Sequence, residues 1–413
     1  MSLMPTLYPQ SARERARGSP TWPQPPTMTA SRSCMAAKLC FLVLMNQPRK
    51  GGGRPSVLLD MRPLQGPSAV RGVGAYARSL LKGLIKAGFD DRLTLLLDVE
   101  FDAPALPVGK YRLTGCRRRN HGQLAAYEDA VALSGDIERI GPDVYHAIDF
   151  HLPGRCPARL VVTLHDLIPW AWGGAHTRGE RLRYGIFRRL LPRADLVIAV
   201  SEATQADALR MRLASRQRIR VIPEAADPVF APKPGAAARV KAKWGIEGRY
   251  LLFVGALDAR KDPHALLRAW TTARLAHPDL RLLIAGVPGR QAPPSMSGAV
   301  QLGRVVDEEL ADLYSAATCL VFPSRYEGFG LPCLEAMACG CPVVAFQNSS
   351  IPEVVDAAAI MVEDGDAEAL GNAVTDILRQ RERWRRAGLE RARHFSWEKT
   401  ARATISAYES VLA

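Results

Sequence analysis

Residues 318–345 read TCLVFPSRYEGFGLPCLEAMACGCPVVA. The first six are an apolar run of strand type. Residues 331–339 read as a helix with Pro332 in the first turn, where a missing N–H leaves nothing unpaired. Between them Glu327-Gly328-Phe329-Gly330 turns the chain. A strand that feeds a glycine turn and then a helix start leaves the backbone N–H groups of Phe329, Gly330 and Leu331 pointing outward, a geometry that suits phosphate. Glu327 falls on the turn and Glu335 about one turn into the helix, so both carboxylates can reach one bound molecule. Phosphate donors beside two carboxylate acceptors suit a nucleotide sugar, whose phosphates need donors and whose hydroxyls need acceptors.

Working outward, the same strand–turn–helix grammar recurs on both sides. Upstream, an apolar run at 250–254 leads into GALDARKD at 255–262, where adjacent Arg260 and Lys261 can clamp a diphosphate, the arginine by its fork and the lysine as a point charge. Strands are expected at 280–284, 300–302, 318–322 and 342–346, with helices at 264–276, 307–316, 331–339 and 367–379. The first half has its own set. A buried-strand pattern begins at Pro55, and Gly72 and Gly74 are expected in a turn before a helix at 76–87, a second phosphate or close-approach geometry. Strands follow at 93–97, 143–146, 159–164 and 195–200, with helices at 123–134, 178–191 and 202–211. Alternation at this spacing implies a doubly wound parallel sheet, here two of them. The stretch PEAADPVFAPKPGAAA, after residue 222, is the best domain boundary. The expected divisions are a disordered basic extension at 1–54, Rossmann-like domains at 55–228 and 240–395, and a final helical segment at 396–413. Ligands of such a pair bind in the interdomain cleft, at the carboxyl ends of strands.

Bulk properties narrow the class. The chain has 413 residues, long enough for two domains, and its 47% hydrophobic and 23% charged content is that of a globular protein. The formal net charge is +14, but residues 1–54 hold eight Lys/Arg against one acid, so half of the excess sits in that tail. A basic nucleic-acid-binding protein would carry interleaved aromatics or a binding module, and neither is found, so no nucleic-acid partner is expected. No apolar run approaches the roughly 18 residues needed to span a bilayer. Residues 35–45 (MAAKLCFLVLM) have a short apolar core and no small-residue cleavage site, so they are not read as a signal peptide. Eight cysteines at 34, 40, 116, 156, 319, 333, 339 and 341 lack paired zinc-site spacing. The last four fit small buried thiols, and the usage fits a reducing cytoplasm.

The stretch EGFGLPCLEAMACGCPVV resembles the E-x7-E signature of retaining glycosyltransferases of family 4, which have the GT-B fold. The resemblance covers about residues 55 to 412 and is strongest from 249 to 365. It implies hexosyl transfer from a nucleoside diphosphate sugar with retention of configuration. It assigns Glu327 to the donor sugar, Glu335 to the ribose, and Arg260 with Lys261 to the diphosphate. Ala256 stands where many members carry a first basic residue, which makes Lys261 the more dependable ligand. Gly328, Phe329, Gly330, Leu331 and Gly74 join the donor-binding set. His165, in VVTLHDLIP, resembles the HDLIP segment whose histidine lies in the cleft near donor sugar and acceptor, so the resemblance makes His165 a catalytic residue with Glu327, and Asp166 is expected to hold the imidazole or cap the next turn. His146 and His151, in YHAIDFHLP, match a cleft-lining segment. Ser201-Glu202 matches a helix-capping VSE element, and Glu353 a residue fixing the loop beside the donor. The leaving phosphate would act as base, and Arg260, Lys261 and helix N-termini would replace a metal, so neither metal nor cofactor is expected beyond the donor substrate. The combination of GVGxY, HDLIP and xRK suggests mannose, with a glycan or polyprenyl-diphosphate-linked acceptor in bacterial polysaccharide or lipopolysaccharide assembly. The basic run Arg178, Arg181, Arg183, Arg188, Arg189 and Arg193, with CRRR at 116–119, suggests peripheral contact with anionic lipid, and hence a cytoplasmic enzyme at the inner membrane face. The alternatives are a nucleotide-sugar epimerase and a phosphorylase of the same fold; a phosphorylase would carry a pyridoxal-binding lysine motif, and none is evident.

Overall fold

The computed structural model describes residues 54–66, 69, 72–118, 124–172, 177–287 and 298–413. Residues 1–53 of the expected extension, including the 35–45 segment, Cys34 and Cys40, lie outside the described residues, as do Arg119 and Gln123.

The first sheet is built from β1 (Val57–Asp60), β2 (Leu93–Asp98), β3 (Arg112–Cys116), β4 (Val144–Ala147), β5 (Arg159–Leu164), β6 (Leu196–Ala199) and β7 (Ile219–Val221). Every pairing is parallel, in the order β3-β2-β1-β4-β5-β6-β7. Its crossovers are α1 (Gly72–Lys86), α2 (Ala125–Ile140), the single turn α3 (Ile168–Ala171), α4 (Arg178–Leu190) and α5 (Glu202–Arg210). The strands carry near-continuous apolar runs because helices cover the faces of a parallel sheet; VLLD and LVIA are buried at every position. The helices start where the sequence supplies caps. Thr177 and Glu180 form a reciprocal capping box on α4, and the Ser201 hydroxyl accepts from the Thr204 N–H at the start of α5.

The second sheet repeats the plan. After α6 (Ala236–Trp244) come β8 (Tyr250–Val254), α7 (Pro263–Ala276), β9 (Arg281–Ala285), β10 (Val300–Gly303), α8 (Asp307–Ala316), β11 (Cys319–Phe322), α9 (Leu331–Ala338), β12 (Val343–Phe346), α10 (Ile351–Val355), β13 (Ile360–Val362) and α11 (Ala367–Arg379). The order is β10-β9-β8-β11-β12-β13, again parallel throughout. Leu251, Phe253, Ile284, Val321, Val344 and Phe346 form the centre of its core with α7 and α11. Full burial of each such side chain contributes about 1.5–3 kcal/mol. Cys319, Cys333, Cys339 and Cys341 are buried free thiols, as their apolar contexts led us to expect.

The chain then runs through α12 (Arg381–Ala392) into α13 (Trp397–Ser410), which packs along α1 on the first sheet. Two polar contacts fix it there. The Thr400 hydroxyl donates to the Pro223 carbonyl at 2.7 Å, and the Tyr408 hydroxyl meets His146 Nδ1 at 2.7 Å. His146 is therefore buried core and not a cleft-lining residue; burial pushes its imidazole down to about 3.

Both sheets reverse strand order at one point, between β1 and β4 in the first and between β8 and β11 in the second. Crevices for ligands open at such switch points, beyond the carboxyl ends of the strands.

Candidate active site

At the second switch point the loop after β8 and the loop after β11 lie side by side. Asp258 caps a short 3-10 turn at Ala259–Lys261, which directs both basic side chains toward the β11 loop. One oxygen of Glu327, Oε1, accepts from Lys261 Nζ at 2.6 Å, from Arg260 Nη1 at 2.6 Å and from the Ser324 hydroxyl. Arg260 also donates to the Tyr326 carbonyl at 2.7 Å, and the Lys261 ammonium lies 4.4 Å from the Phe322 ring centroid. Burial alone would raise the Glu327 carboxyl, but Lys261 and Arg260 outweigh it and bring the group down to about 2. Burial lowers the Lys261 ammonium, an effect Glu327 offsets only in part. The expected diphosphate clamp and the first glutamate of the signature thus form one ionised cluster.

The turn after Glu327 is set by steric contacts. Gly330 sits at φ 99°, the left-handed region, and forms the N-cap of α9. Phe329 is buried and packs edge-on against Phe395, with ring centroids 5.9 Å apart. Leu331 opens the helix, where N–H groups lack intrahelical partners. Gly328 presses on the other sheet: a Cβ at this position would lie 1.8 Å from the carbonyl oxygen of His165. Its own carbonyl accepts from the Ser201 hydroxyl at 2.6 Å and from the Thr204 hydroxyl at 3.1 Å. The Tyr326 hydroxyl donates to Asp207 at 2.5 Å. Glu353, expected to fix the loop beside the donor, reaches the first sheet and accepts from the N–H groups of Glu202 and Ala203 at 2.7 and 3.0 Å, capping α5 from outside. The loop carrying Glu327 is therefore held by α5 and by the end of β5.

Glu335 lies on α9 and is not part of the ionised cluster. Its hydrogen bond comes from the Tyr314 hydroxyl at 3.2 Å, and burial raises its carboxyl to about 8, with Asp307, Glu224 and Asp227 adding to the rise. The Cys333 thiol senses both glutamates. The two signature carboxyls thus have opposite protonation states at neutral pH, a separation set wholly by their surroundings.

His165 directly follows β5, beneath the Gly328 turn. Its Nδ1 meets Glu224 Oε1 at 3.1 Å and its Nε2 meets the Ile148 carbonyl at 3.1 Å. Asp166 does not hold the imidazole; its carboxylate accepts from the Ile168 N–H at 3.0 Å and caps the next turn. Glu224 lies in the proline-rich stretch after β7, which carries no periodicity to single it out. His151 pairs with Asp129 at 2.9 Å, away from the clamp, in a buried network with Arg62 and Arg118. Gly74 is part of helix α1 and not of a turn before it; α1 already begins at Gly72, and Gly74 is buried in its first turn. Its backbone lies outside the left-handed region, so this glycine supplies no special turn geometry.

Two Rossmann-like parallel sheets, with basic and acidic side chains gathered at the switch point of the second, are the architecture of the GT-B fold. Residues 237–394 match the family described as Glycosyl transferases group 1, and residues 70–230 match Glycosyltransferase Family 4. O-antigen chain mannosyltransferase B of Escherichia coli is 30% identical over 387 residues, covering 86% of this chain and 99% of the relative. The serotype-specific mannosyltransferase WbdA of Escherichia coli is 26% identical over 406 residues, 86% of this chain but 48% of that longer protein. Among solved structures, sucrose-phosphate synthase from Thermosynechococcus elongatus superposes with a TM-score of 0.69 at 23% identity, covering 87% of this chain and 99% of the other. The chain belongs to the group 1, family 4 glycosyltransferases, and it is a glycosyltransferase enzyme.

Proposed function

We propose that the chain transfers a mannosyl residue, with retention of configuration, from a nucleoside diphosphate sugar to a glycan or lipid-linked acceptor in the assembly of a bacterial surface polysaccharide. The observation that carries this reading is the paired Arg260 and Lys261 at the carboxyl end of β8, converging on Glu327. The mannose and polysaccharide assignments draw on the activities named for the two mannosyltransferase relatives.

In the reaction the bond between the sugar's anomeric carbon and the phosphate oxygen breaks while the acceptor oxygen bonds to the same face. The acceptor proton passes to the leaving phosphate. Arg260, Lys261 and the N-terminus of α9 stabilise the charge that develops on that phosphate. Glu327, ionised and released from the clamp by the incoming diphosphate, accepts hydroxyls of the sugar, and Glu335 meets the ribose. No side chain has to act as a nucleophile.

A lipid-linked acceptor places the reaction at a membrane surface. Arg178, Arg181, Arg188, Arg189 and Arg193 are exposed on and just after α4, with Leu182 exposed among them. This face suits contact with anionic headgroups. Among the described residues no helix is long and apolar enough to cross a membrane.

The test is a donor screen that measures transfer and hydrolysis across GDP-, UDP- and ADP-sugars, repeated with Lys261→Ala. The expected result is turnover of a mannosyl donor that Lys261→Ala abolishes while the circular dichroism spectrum is unchanged. Near-normal turnover in the variant would show that the clamp is misassigned.

A further inference from the structure

His165 has an acceptor at each nitrogen: the Glu224 carboxylate at Nδ1 and the Ile148 carbonyl at Nε2, both at 3.1 Å. A neutral imidazole carries a single N–H, so one of these contacts would set a lone pair against an oxygen. The imidazolium donates to both. The side chain is only 13% exposed and that of Glu224 only 5%, so bulk water does not substitute for either partner. The ionisable groups facing the ring are Glu224, Asp166 and Asp149, with buried His146 and Tyr76 behind it. Burial works against a charged ring here, yet Glu224 and these acids carry His165 above its ordinary value.

We propose that Glu224 is a positioning residue which holds His165 as a doubly donating cation and thereby fixes the floor on which the donor loop rests. This rests on the reading that the donor binds at the Gly328 turn. The link to the loop is steric, because Gly328 packs directly on the His165 carbonyl. Anchoring the ring at both nitrogens restrains the residue whose carbonyl the Gly328 turn rests on. With both nitrogens engaged, His165 has no lone pair to take a proton from an acceptor. It supplies a fixed charge and a fixed backbone, and base chemistry must come from elsewhere.

The experiment follows the ring signals of His165 by NMR through a pH titration of the full chain without donor, assigned by their loss in His165→Gln. The midpoint is expected above the ordinary histidine value of about 6.5, and Glu224→Gln is expected to lower it by about one unit or more. Glu224→Asp should restore part of the shift. The alkaline limb of the kcat–pH profile should move with the NMR midpoint, while KM for the donor changes less than about threefold. A wild-type midpoint at or below 6.5, an unchanged midpoint in Glu224→Gln, or a kcat profile indifferent to the substitution would each overturn the proposal. Should Glu224→Gln fail to fold, the wild-type titration alone decides. A ring that titrates as expected in a protein that turns over no sugar nucleotide would sink the functional reading and leave the His165 charge state standing.

Discussion

Gly328→Ala isolates the contact between the two sheets. Gly328 is not in the left-handed region, so alanine fits its backbone and only space forbids the side chain. The added methyl would lie 1.8 Å from the His165 carbonyl oxygen and 2.9 Å from the Asp166 Cβ. A carbon and a carbonyl oxygen need about 3.3 Å, so the loop or the end of β5 must give by about 1.5 Å. Neither is free to do so cheaply, because the Gly328 carbonyl is bound by Ser201 and Thr204, and His165 is bound at both nitrogens. Overpacking of this kind costs about 1–3 kcal/mol of stability. The functional loss should be larger in proportion, since about 1 Å of misplacement at a reacting centre costs on the order of a hundredfold. Steady-state kcat/KM for the donor and urea denaturation should be measured together, with Gly135→Ala as control. An alanine methyl at Gly135 meets nothing within 4 Å on helix α2 and should be neutral or slightly stabilising. A Gly328→Ala enzyme with kcat/KM within about threefold of wild type would refute the claim that the seam positions the donor loop.

Two further outcomes follow from the glutamates. Glu327→Gln leaves Arg260 and Lys261 without their anion and should cost about 3 kcal/mol in urea denaturation, the lower end for a broken buried pair because Gln keeps an acceptor oxygen. Added nucleoside diphosphate should stabilise this variant more than the wild type, and equal stabilisation of the two would contradict competition between Glu327 and phosphate. Because the folded Glu327 value lies below its unfolded one, its contribution is present above about pH 4.5 and lost as pH falls toward 2. Glu335 has the opposite sign. Its folded carboxyl stays protonated up to about 8, so it makes stability fall as pH rises from 4.5 to 8, by at most about 1.4 kcal/mol per unit. Glu335→Gln should flatten that slope, and an unchanged slope would place the ionisation elsewhere.

The fold was legible because each unit of it is local. The runs at 250–254 and 318–322, the caps at Thr177 and Ser201, and the proline at the start of α9 each act within a few residues of sequence. Strands β3 and β13 escaped notice because RLTGC holds a glycine and few apolar residues and IMV has only three residues, and α6 begins within the stretch read as linker. The site was legible only as a set of residues. That Arg260 and Lys261 share one oxygen of Glu327 follows from β8 and β11 being neighbours in the sheet, which spacing along the chain does not express. Glu353 and His146 find their partners in another part of the fold, the start of α5 for one and Tyr408 of the last helix for the other, which spacing along the chain does not express. Glu224 was missed for the same reason. A glutamate in a proline-rich connection gives no local signal, and it matters only because β7 lies in the same sheet as β5, with β6 alone between them.

The pairing of Glu327 with both cations also bears on how the enzyme avoids acting without a donor. Two cations confined beside the carboxyl end of a sheet would bind any small anion or draw in water. With Glu327 in place they are neutralised in part, and one positive charge of the three groups remains. A diphosphate brings more charge than a single carboxylate and can engage the α9 N-terminus as well, so it can displace Glu327 where a monovalent anion cannot. Displacement frees the carboxylate at the moment sugar hydroxyls arrive beside it. On the proposed function, occupancy of the clamp and release of Glu327 would be one event, which would favour diphosphates over monovalent anions. Chloride or acetate should leave the stability of the wild-type protein unchanged at concentrations where a nucleoside diphosphate raises it, and a comparable rise with either monovalent anion would show that Glu327 does not guard the clamp.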